Sequence, residues 1–284
     1  MIGPVGFPAL DDYRLNGMLF KPEAPNGHAV LVNAATGVRQ EYYAKYATYL
    51  LERGFTVLTY DYRGIGRSLH GPLKDLSHAR MRDWGRLDAG GALQFLQYVA
   101  PGETLCAIGH SFGGQAFGLM PGNDRIAAAF TVGSQSGYWR HWPATHRYGF
   151  WLMVRALIPA GTRWKGHTPS RVLRLGDDLP AGVGLEWARW CLNPGYHLGE
   201  LGHEARPGFA SFTGRLRAYQ IADDTFAPPK AVQEFVRFYP NAKAEIVPVV
   251  PRQYGARSIG HFGFFRDRWR DSLWKESADW LLEA

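Results

Sequence analysis

The distribution of apolar residues along the chain predicts strands that alternate with helices. Short apolar runs, typical of strands buried on both faces, cover Ala29–Val32, Phe55–Tyr60, Leu105–Ile108, Ile126–Val132, Leu216–Ile221 and Ala244–Val249. Amphipathic segments typical of helices cover Glu41–Arg53, Asp83–Val99, Gln115–Met120, Pro229–Phe238 and Trp269–Leu282. This order predicts an α/β fold, in which helices flank both faces of a mostly parallel central sheet. The looser alternation from Asp12 to Phe20 predicts an antiparallel edge strand.

The alternation stops after Gly133 and resumes near Leu216. Residues 138–206 hold six of the ten Trp and five of the ten His, with helical patterns at Tyr148–Ile158 and Gly184–Cys191 and no clear strand. Because the strand pattern resumes behind this segment, we interpret it as a helical cap inserted over the sheet. The chain is therefore predicted to be a single domain, with a core of residues 1–137 and 207–284.

Composition excludes several classes of protein. With 46% hydrophobic and 20% charged residues among 284, the chain is not disordered. The sequence has no run of about 18 apolar residues, so no transmembrane helix is expected, and no signal peptide is expected either. Cys106 and Cys191 are too few for a disulfide scaffold, so a reduced cytoplasmic setting is expected. The net charge is +7, but the basic residues are scattered and usually lie near an acid, as in Arg266–Arg268. No nucleic-acid partner is therefore expected.

A candidate nucleophile lies between a predicted strand and a predicted helix. Gly109–Gly114 has the sequence Gly-His-Ser-Phe-Gly-Gly, which matches the G-x-S-x-G pattern of a nucleophile elbow. Such a turn needs glycines because side chains at the flanking positions would collide with the backbone. Ser111 would then project above the sheet, and the following amide, that of Phe112, would face the same space and stabilise an oxyanion.

A nucleophilic serine needs a base, and the base needs an orienting acid. Asp223 and Asp224 follow a predicted strand, and His261 precedes the closing helix between two glycines. The chain order Ser111, then Asp, then His261 is the order of the α/β-hydrolase arrangement.

With these motifs, the chain resembles an α/β-hydrolase over nearly its whole length, most closely the serine aminopeptidase/lysophospholipase-like branch. The acid of that family usually stands four residues before a Pro, which favours Asp224, ahead of Pro228, over Asp223. Asp223 would then be a solvated carboxylate or a hydrogen-bond partner within a loop. The resemblance implies the α/β-hydrolase fold and a carboxylesterase- or lysophospholipase-like activity without a cofactor.

The loop after Ala29–Val32 is expected to supply the second oxyanion donor. Many family members carry His-Gly-x there, whereas this chain has Asn33–Gly37, similar to the His-Ala-Leu-Thr-Gly loop of homoserine acyltransferases. Alignment of the strand ends favours the amide of Ala35, with Thr36 as the alternative.

Two further patterns are interpreted as structural. Asp61–Ser68 resembles the D-x-R-G-x-G-x-S loop of the family and lacks the third glycine of a dinucleotide site, so Asp61 and Arg63 are predicted to hold a tight turn. The histidines of residues 138–206 lack an H-E-x-x-H pattern, and no metal site is predicted.

The sequence therefore favours serine-dependent acyl transfer to water on a small-molecule substrate. The six Trp of residues 138–206 indicate either an apolar substrate pocket or simple packing of the cap. Two alternatives stay open: an acyltransferase with an acceptor other than water, and a relative of the fold that binds a ligand without catalysis. No integral membrane association is expected, and a homodimer is left open.

Overall fold

The computed structural model describes residues 1–173 and 176–284 and places eight strands in one sheet. In chain order, the strands are β1 (Ile2–Pro8), β2 (Arg14–Phe20), β3 (His28–Asn33), β4 (Thr56–Tyr60), β5 (Thr104–His110), β6 (Ala128–Val132), β7 (His167–Thr168), β8 (Leu179–Pro180), β9 (Arg215–Ile221) and β10 (Lys243–Val249). The main sheet has the order β1-β2-β4-β3-β5-β6-β9-β10, and β7 and β8 form a separate pair. All neighbours from β4 to β10 in this sheet are parallel, as the alternating sequence pattern predicts.

Helices connect the strands and supply the layers on the sheet. They are α1 (Ala44–Glu52), α2 (Met81–Asp83), α3 (Gly90–Val99), α4 (Phe112–Gln115), α5 (Ala144–Leu152), α6 (Ile158–Lys165), α7 (Ala181–Leu192), α8 (Tyr196–Leu201), α9 (Arg206–Ser211), α10 (Pro229–Val236) and α11 (Lys275–Leu282). Helix α1 ends before Gly54, whose φ of +85° is the left-handed conformation that glycine adopts without strain. No helix within the described residues is long and apolar enough to cross a membrane.

The amino-terminal hairpin differs from the sequence expectation. Strand β2 is antiparallel to β4, as predicted, but it is not the edge, because β1 pairs outside it. Strand β1 has the sequence IGPVGFP, and only Phe7 within it is buried. Two prolines and two glycines depress strand propensity, and such residues are tolerated at an edge where one side of the ladder is unpaired. The apolar pattern therefore carries no strand signal here.

Two smaller elements also differ. The helix predicted from Gln115 begins at Phe112, immediately after Ser111, and continues as a 3₁₀ turn over Ala116–Leu119. Strands β7 and β8 lie in residues 138–206, where no strand was predicted. Two-residue strands are too short to leave a periodic pattern in the sequence.

The segment between β6 and β9, here called the insertion (residues 138–206), contacts loops at the carboxyl ends of the parallel strands. Trp142 Nε1 donates to Thr225 O, in the loop after β9, at 3.0 Å. Asp177 accepts two hydrogen bonds from Arg39, in the loop after β3. The insertion therefore lies against the same edge of the sheet at which Ser111 follows β5.

Candidate active site

Ser111 occupies a strained turn between β5 and α4. Its φ of +52° and ψ of −117° are uncommon for a residue with a Cβ. A Cβ on Gly109 would overlap the backbone of Gly114, and a Cβ on Gly113 would overlap Asn33 O, so both flanking glycines are sterically required. Ser134 Oγ donates to Ser111 O at 2.7 Å and helps to hold the turn. This is the tight strand-to-helix geometry that the motif predicts.

His261 and Asp224 form a direct buried contact. Nδ1 of His261 lies 2.7 Å from Oδ2 of Asp224, and both side chains are almost completely shielded from solvent. The other carboxylate oxygen of Asp224 accepts the amides of Phe226 at 2.8 Å and Ala227 at 3.1 Å. Since an ionised carboxylate only accepts, this contact assigns the proton to Nδ1 and leaves Nε2 as an acceptor.

Asp223 has a different set of partners. It accepts hydrogen bonds from Ser258 Oγ at 2.6 Å, Ile259 N at 3.0 Å and Gly260 N at 3.1 Å. Partial burial acts to raise the pKa of Asp223, but these hydrogen bonds outweigh it and hold the pKa below its usual value. Of the two alternatives for this carboxylate, a hydrogen-bond partner within a loop fits this geometry. The two adjacent carboxylates thus hold the His261 loop and the His261 ring, respectively.

His110, which the sequence analysis did not single out, bridges the β5 end to the His261 loop. Its Nδ1 lies 2.9 Å from Tyr43 Oη, and its Nε2 lies 2.9 Å from His261 O. Burial lowers the pKa of His110 well below its usual value, so the ring is neutral. Because a carbonyl only accepts, Nε2 carries the proton and Nδ1 accepts from the Tyr43 hydroxyl. The only sequence signal for this role is its position directly before Ser111.

Ala35, the predicted second oxyanion donor, has a hydrogen-bond partner within the protein. Its amide donates to Tyr43 Oη at 2.9 Å in the protein interior. A backbone amide has one proton, and in this structure that of Ala35 is engaged within the protein. The sequence could not reveal this contact. Tyr43 ends the 3₁₀ turn Gln40–Tyr43, and its position beside Ala35 depends on how that turn packs against the loop after β3.

No hydrogen bond joins Ser111 to His261 among the described residues, but both lie near the end of β6. Ser111 N donates to Val132 O at 2.9 Å, which places the turn beside the end of β6. The next residue, Gly133, faces the acid–base pair: a Cβ there would lie 2.8 Å from Asp224 Oδ2 and 2.9 Å from His261 Nδ1. The end of β6 therefore contacts both the Ser111 turn and the Asp224–His261 pair.

The candidate site is nearly closed to solvent. Ser111 is 9% exposed and His261 8% exposed. The ring of Phe226, which is 44% exposed, lies 5.2 Å from the imidazole. The exposed Phe226 ring thus offers an apolar surface beside the shielded imidazole.

The Asp61 and Arg63 loop is held by buried polar contacts. Asp61 accepts from Gln40 N, Gln40 Nε2 and Arg67 N. Arg63 binds the fully buried Asp88 at 2.7 Å from Nε and pairs with Asp11. Burial raises the pKa of Asp88 to about 6, although Arg63 opposes the shift. These contacts fit the predicted structural role of the loop.

No group of three or more His, Cys, Asp or Glu side chains that could hold a metal ion occurs within residues 1–173 and 176–284.

Comparison with known proteins agrees with the fold. The model of a family described as "Alpha/beta hydrolase family" matches residues 29–273. No curated protein matches the sequence. Among solved structures, DcsB in complex with its substrate analogue is similar at a TM-score of 0.68 and 12% identity, over 100% of this chain and 99% of its own.

Two esterases are also similar in structure. The esterase EaEST of Exiguobacterium antarcticum has a TM-score of 0.63 and 16% identity, with 98% of each chain covered. The Pyrococcus furiosus esterase has a TM-score of 0.61 and 16% identity, over 100% of this chain and 91% of its own. At such identities the likenesses show the fold alone, and the predicted fold class is confirmed.

Proposed function

The chain belongs to the alpha/beta hydrolase family, and on that premise we propose that it is a serine hydrolase that cleaves a carboxylic ester or a related acyl bond. The observation that carries the proposal is the Asp224–His261 contact of 2.7 Å beside the strained Ser111 turn. A serine in a strained turn, a base and an orienting acid are the parts that nucleophilic acyl transfer needs. The substrate is a small molecule with an apolar portion.

In the first half of the reaction, His261 Nε2 takes the proton of Ser111 Oγ as this oxygen forms a bond to the acyl carbon. The carbonyl electron pair moves onto its oxygen, which becomes an oxyanion. Asp224 stabilises the imidazolium that forms and keeps the ring oriented. The absence of a hydrogen bond between Ser111 and His261 is no obstacle, because catalytic hydrogen bonds are often long before substrate binds.

The oxyanion is held by backbone amides. Phe112 is the first residue of α4, so its amide has no acceptor within the helix and lies at the positive end of the helix. We assign the second donor to Thr36, since the Ala35 amide is used by Tyr43. Loss of one such donor reduces kcat by about 10²–10³.

In the second half, the oxyanion collapses and the bond to the leaving oxygen breaks, with the proton of His261 passing to that oxygen. Water then attacks the acyl-enzyme while His261 takes its proton. Collapse of the second oxyanion releases the acid and returns the proton to Ser111.

The experiment is labelling with a fluorophosphonate, followed by hydrolysis of p-nitrophenyl esters of graded chain length. Wild type should be labelled and should hydrolyse at least one ester, whereas Ser111→Ala should lose labelling and roughly 10⁴-fold or more of kcat. Ser77→Ala is the matched control, because Ser77 is exposed and lies in another loop. Full activity in Ser111→Ala would overturn the proposal, as would absence of labelling in wild type.

A further inference from the structure

The longest helical stretch of the insertion presents large apolar side chains to solvent. Helices α5 and α6 are joined by a π-helical turn over Met153–Leu157, so the chain is helical from Ala144 to Lys165 and about 33 Å long. We call this stretch the insertion helix. Its exposed large apolar residues are Tyr148 (66%), Trp151 (38%), Leu152 (48%), Leu157 (59%) and Trp164 (85%). Exposed apolar groups so concentrated on one element indicate a binding surface.

All charged side chains of the insertion helix are basic. It carries Arg147, Arg155, Arg163 and Lys165, and the sequence contains no Asp or Glu from Arg125 to Gly176. Among the described residues, none of these four side chains forms a salt bridge. Lys165 Nζ lies 5.8 Å from the centre of the Trp164 ring, so cation and aromatic group share one patch. The positive charge of this surface is not neutralised by the neighbouring sequence.

The combination of groups selects the partner. A second copy would bring an identical cationic patch against this one, which is unfavourable. Nucleic acid would satisfy the arginines but would leave Leu152 and Leu157 without an apolar environment. A membrane surface with anionic lipids supplies both, since aromatic rings settle at the headgroup level, aliphatic side chains enter the acyl boundary and cations pair with the headgroups.

We propose that the insertion helix binds flat on a lipid bilayer that contains anionic lipids. Its inner side, which includes Val154, Ile158 and Thr162, stays buried in the protein, so binding needs no unfolding of the helix. This binding is separate from ester hydrolysis, and activity on a short soluble ester does not depend on it.

The test is co-flotation of the full chain with vesicles of phosphatidylcholine, with and without phosphatidylserine, at low and high salt. Wild type should float with the anionic vesicles and dissociate as salt rises. Arg155→Gln with Arg163→Gln should weaken binding roughly 30-fold, because each basic residue near an anionic membrane contributes about fivefold. Leu157→Ser with Trp164→Ser should weaken binding at low and high salt alike.

The control carries the same change of charge elsewhere. Arg237→Gln with Arg252→Gln removes two exposed cations outside the insertion and should leave flotation unchanged. Equal loss in this control would overturn the proposal, because binding would then follow net charge alone. Absence of flotation for wild type would also overturn it, as would binding to a DNA duplex in preference to the vesicles. A dimer in light scattering that Leu157→Ser with Trp164→Ser converts to a monomer would assign the surface to self-association.

Retained hydrolysis of a soluble ester in all variants keeps the two proposals distinguishable. A variant that loses flotation and keeps this activity is folded, so its defect is in membrane binding. Loss of activity in Ser111→Ala with flotation retained would support both proposals independently.

Discussion

At position 133 the backbone lies against the acid–base pair, which leaves no room for a side chain. Gly133 has a φ of +60°, and a Cβ there would lie 2.8 Å from Asp224 Oδ2 and 2.9 Å from His261 Nδ1. Contacts below 3.0 Å force one partner to move, and the Asp224 carboxylate is held in place by the amides of Phe226 and Ala227. The geometry of the site thus depends on a residue that has no functional group.

We predict that Gly133→Ala reduces kcat on p-nitrophenyl esters by about 10²-fold or more, since small displacements of catalytic groups have effects of this size. Gly255→Ala is the matched control. Gly255 has a similar φ of +67°, but its Cβ would meet nothing within 4 Å, so only the backbone strain is shared. Equal activities of the two variants would contradict the steric explanation.

The two adjacent aspartates give a second prediction at this scale. Asp224→Asn should reduce kcat by about 10⁴-fold, because an amide cannot hold the imidazole in the tautomer with a proton on Nδ1. Asp223→Asn keeps an acceptor for the loop amides and should have a much smaller effect. Steady-state kinetics with one ester measure both variants, and a larger loss in Asp223→Asn would reverse the two assignments.

The sequence predicts the candidate catalytic side chains more fully than it predicts the hydrogen bonds around them. Ser111 and His261 are predicted from a motif and a chain order, and Asp224 is predicted from the spacing to Pro228 that the family resemblance implies. The Tyr43–His110 link and the use of the Ala35 amide depend on side chains from separate elements meeting in space, which no local pattern encodes. Gly133 likewise gives no signal, since its importance arises from what lies beside it.

At the scale of elements, one buried ion pair fastens the insertion to the core. Glu186 on α7 is fully buried and accepts from Arg82 N at 2.9 Å and Arg82 Nε at 2.6 Å on α2. Arg189 lies 3.9 Å away, so Arg82 supplies the close hydrogen bonds. A buried carboxylate that loses its partner is strongly destabilising.

We predict that Arg82→Ala lowers the free energy of unfolding by about 2–3 kcal/mol, measured by urea denaturation. The backbone hydrogen bond from residue 82 stays, which keeps the loss below that of a fully isolated charge. Arg237→Ala breaks an exposed pair with Glu234 and should change stability by no more than about 0.5 kcal/mol. Equal losses in the two variants would show that burial of Glu186 is unimportant.

Long periodic elements were predictable and short ones were not. The parallel strands and α7 follow from apolar patterns, because burial on a regular backbone produces a regular sequence. Strand β1 is an exposed edge with two prolines, and β7 and β8 have two residues each, so neither produces such a pattern. Packing of the insertion against the β3 and β9 loops also lay beyond the sequence, since it rests on single side chains such as Asp177.

At the scale of the whole molecule, a buried histidine makes stability depend on pH. The His197 ring lies among the rings of Trp190, Tyr196, Phe209 and Phe238. Neither ring nitrogen has a hydrogen-bond partner within the described residues. Burial lowers the pKa of His197 to about 3. The unfolded chain therefore binds a proton at His197 near pH 6.5, whereas the folded chain does not. The free energy of unfolding consequently falls as the pH drops from 6.5 towards 3.

We predict that lowering the pH from 7 to 5 costs wild type about 2 kcal/mol of unfolding free energy through His197. His110, whose pKa burial also lowers, acts in the same direction. His197→Leu should remove about 2 kcal/mol of this dependence and leave the part due to His110. Urea titrations at both pH values measure the difference, and an unchanged pH dependence in His197→Leu would contradict the prediction.

Acidic residues are unevenly distributed along the chain. Pairs such as Arg266 and Asp267 predict basic residues beside acids, yet no acid occurs from Arg125 to Gly176. The acid-free stretch of 52 residues is therefore a basic region that the paired charges elsewhere do not reveal.

The hydrogen bond from Trp142 to Thr225 O links the insertion to the residue that follows Asp224. Grafting a foreign segment between β6 and β9 would therefore remove one of the hydrogen bonds that hold the acid loop unless the graft supplied a donor at the same place. Efforts to alter selectivity by exchanging this segment would change acid mobility together with pocket shape. The insertion cannot be exchanged independently of the core, and its replacement requires redesign of the contact with the loop after β9.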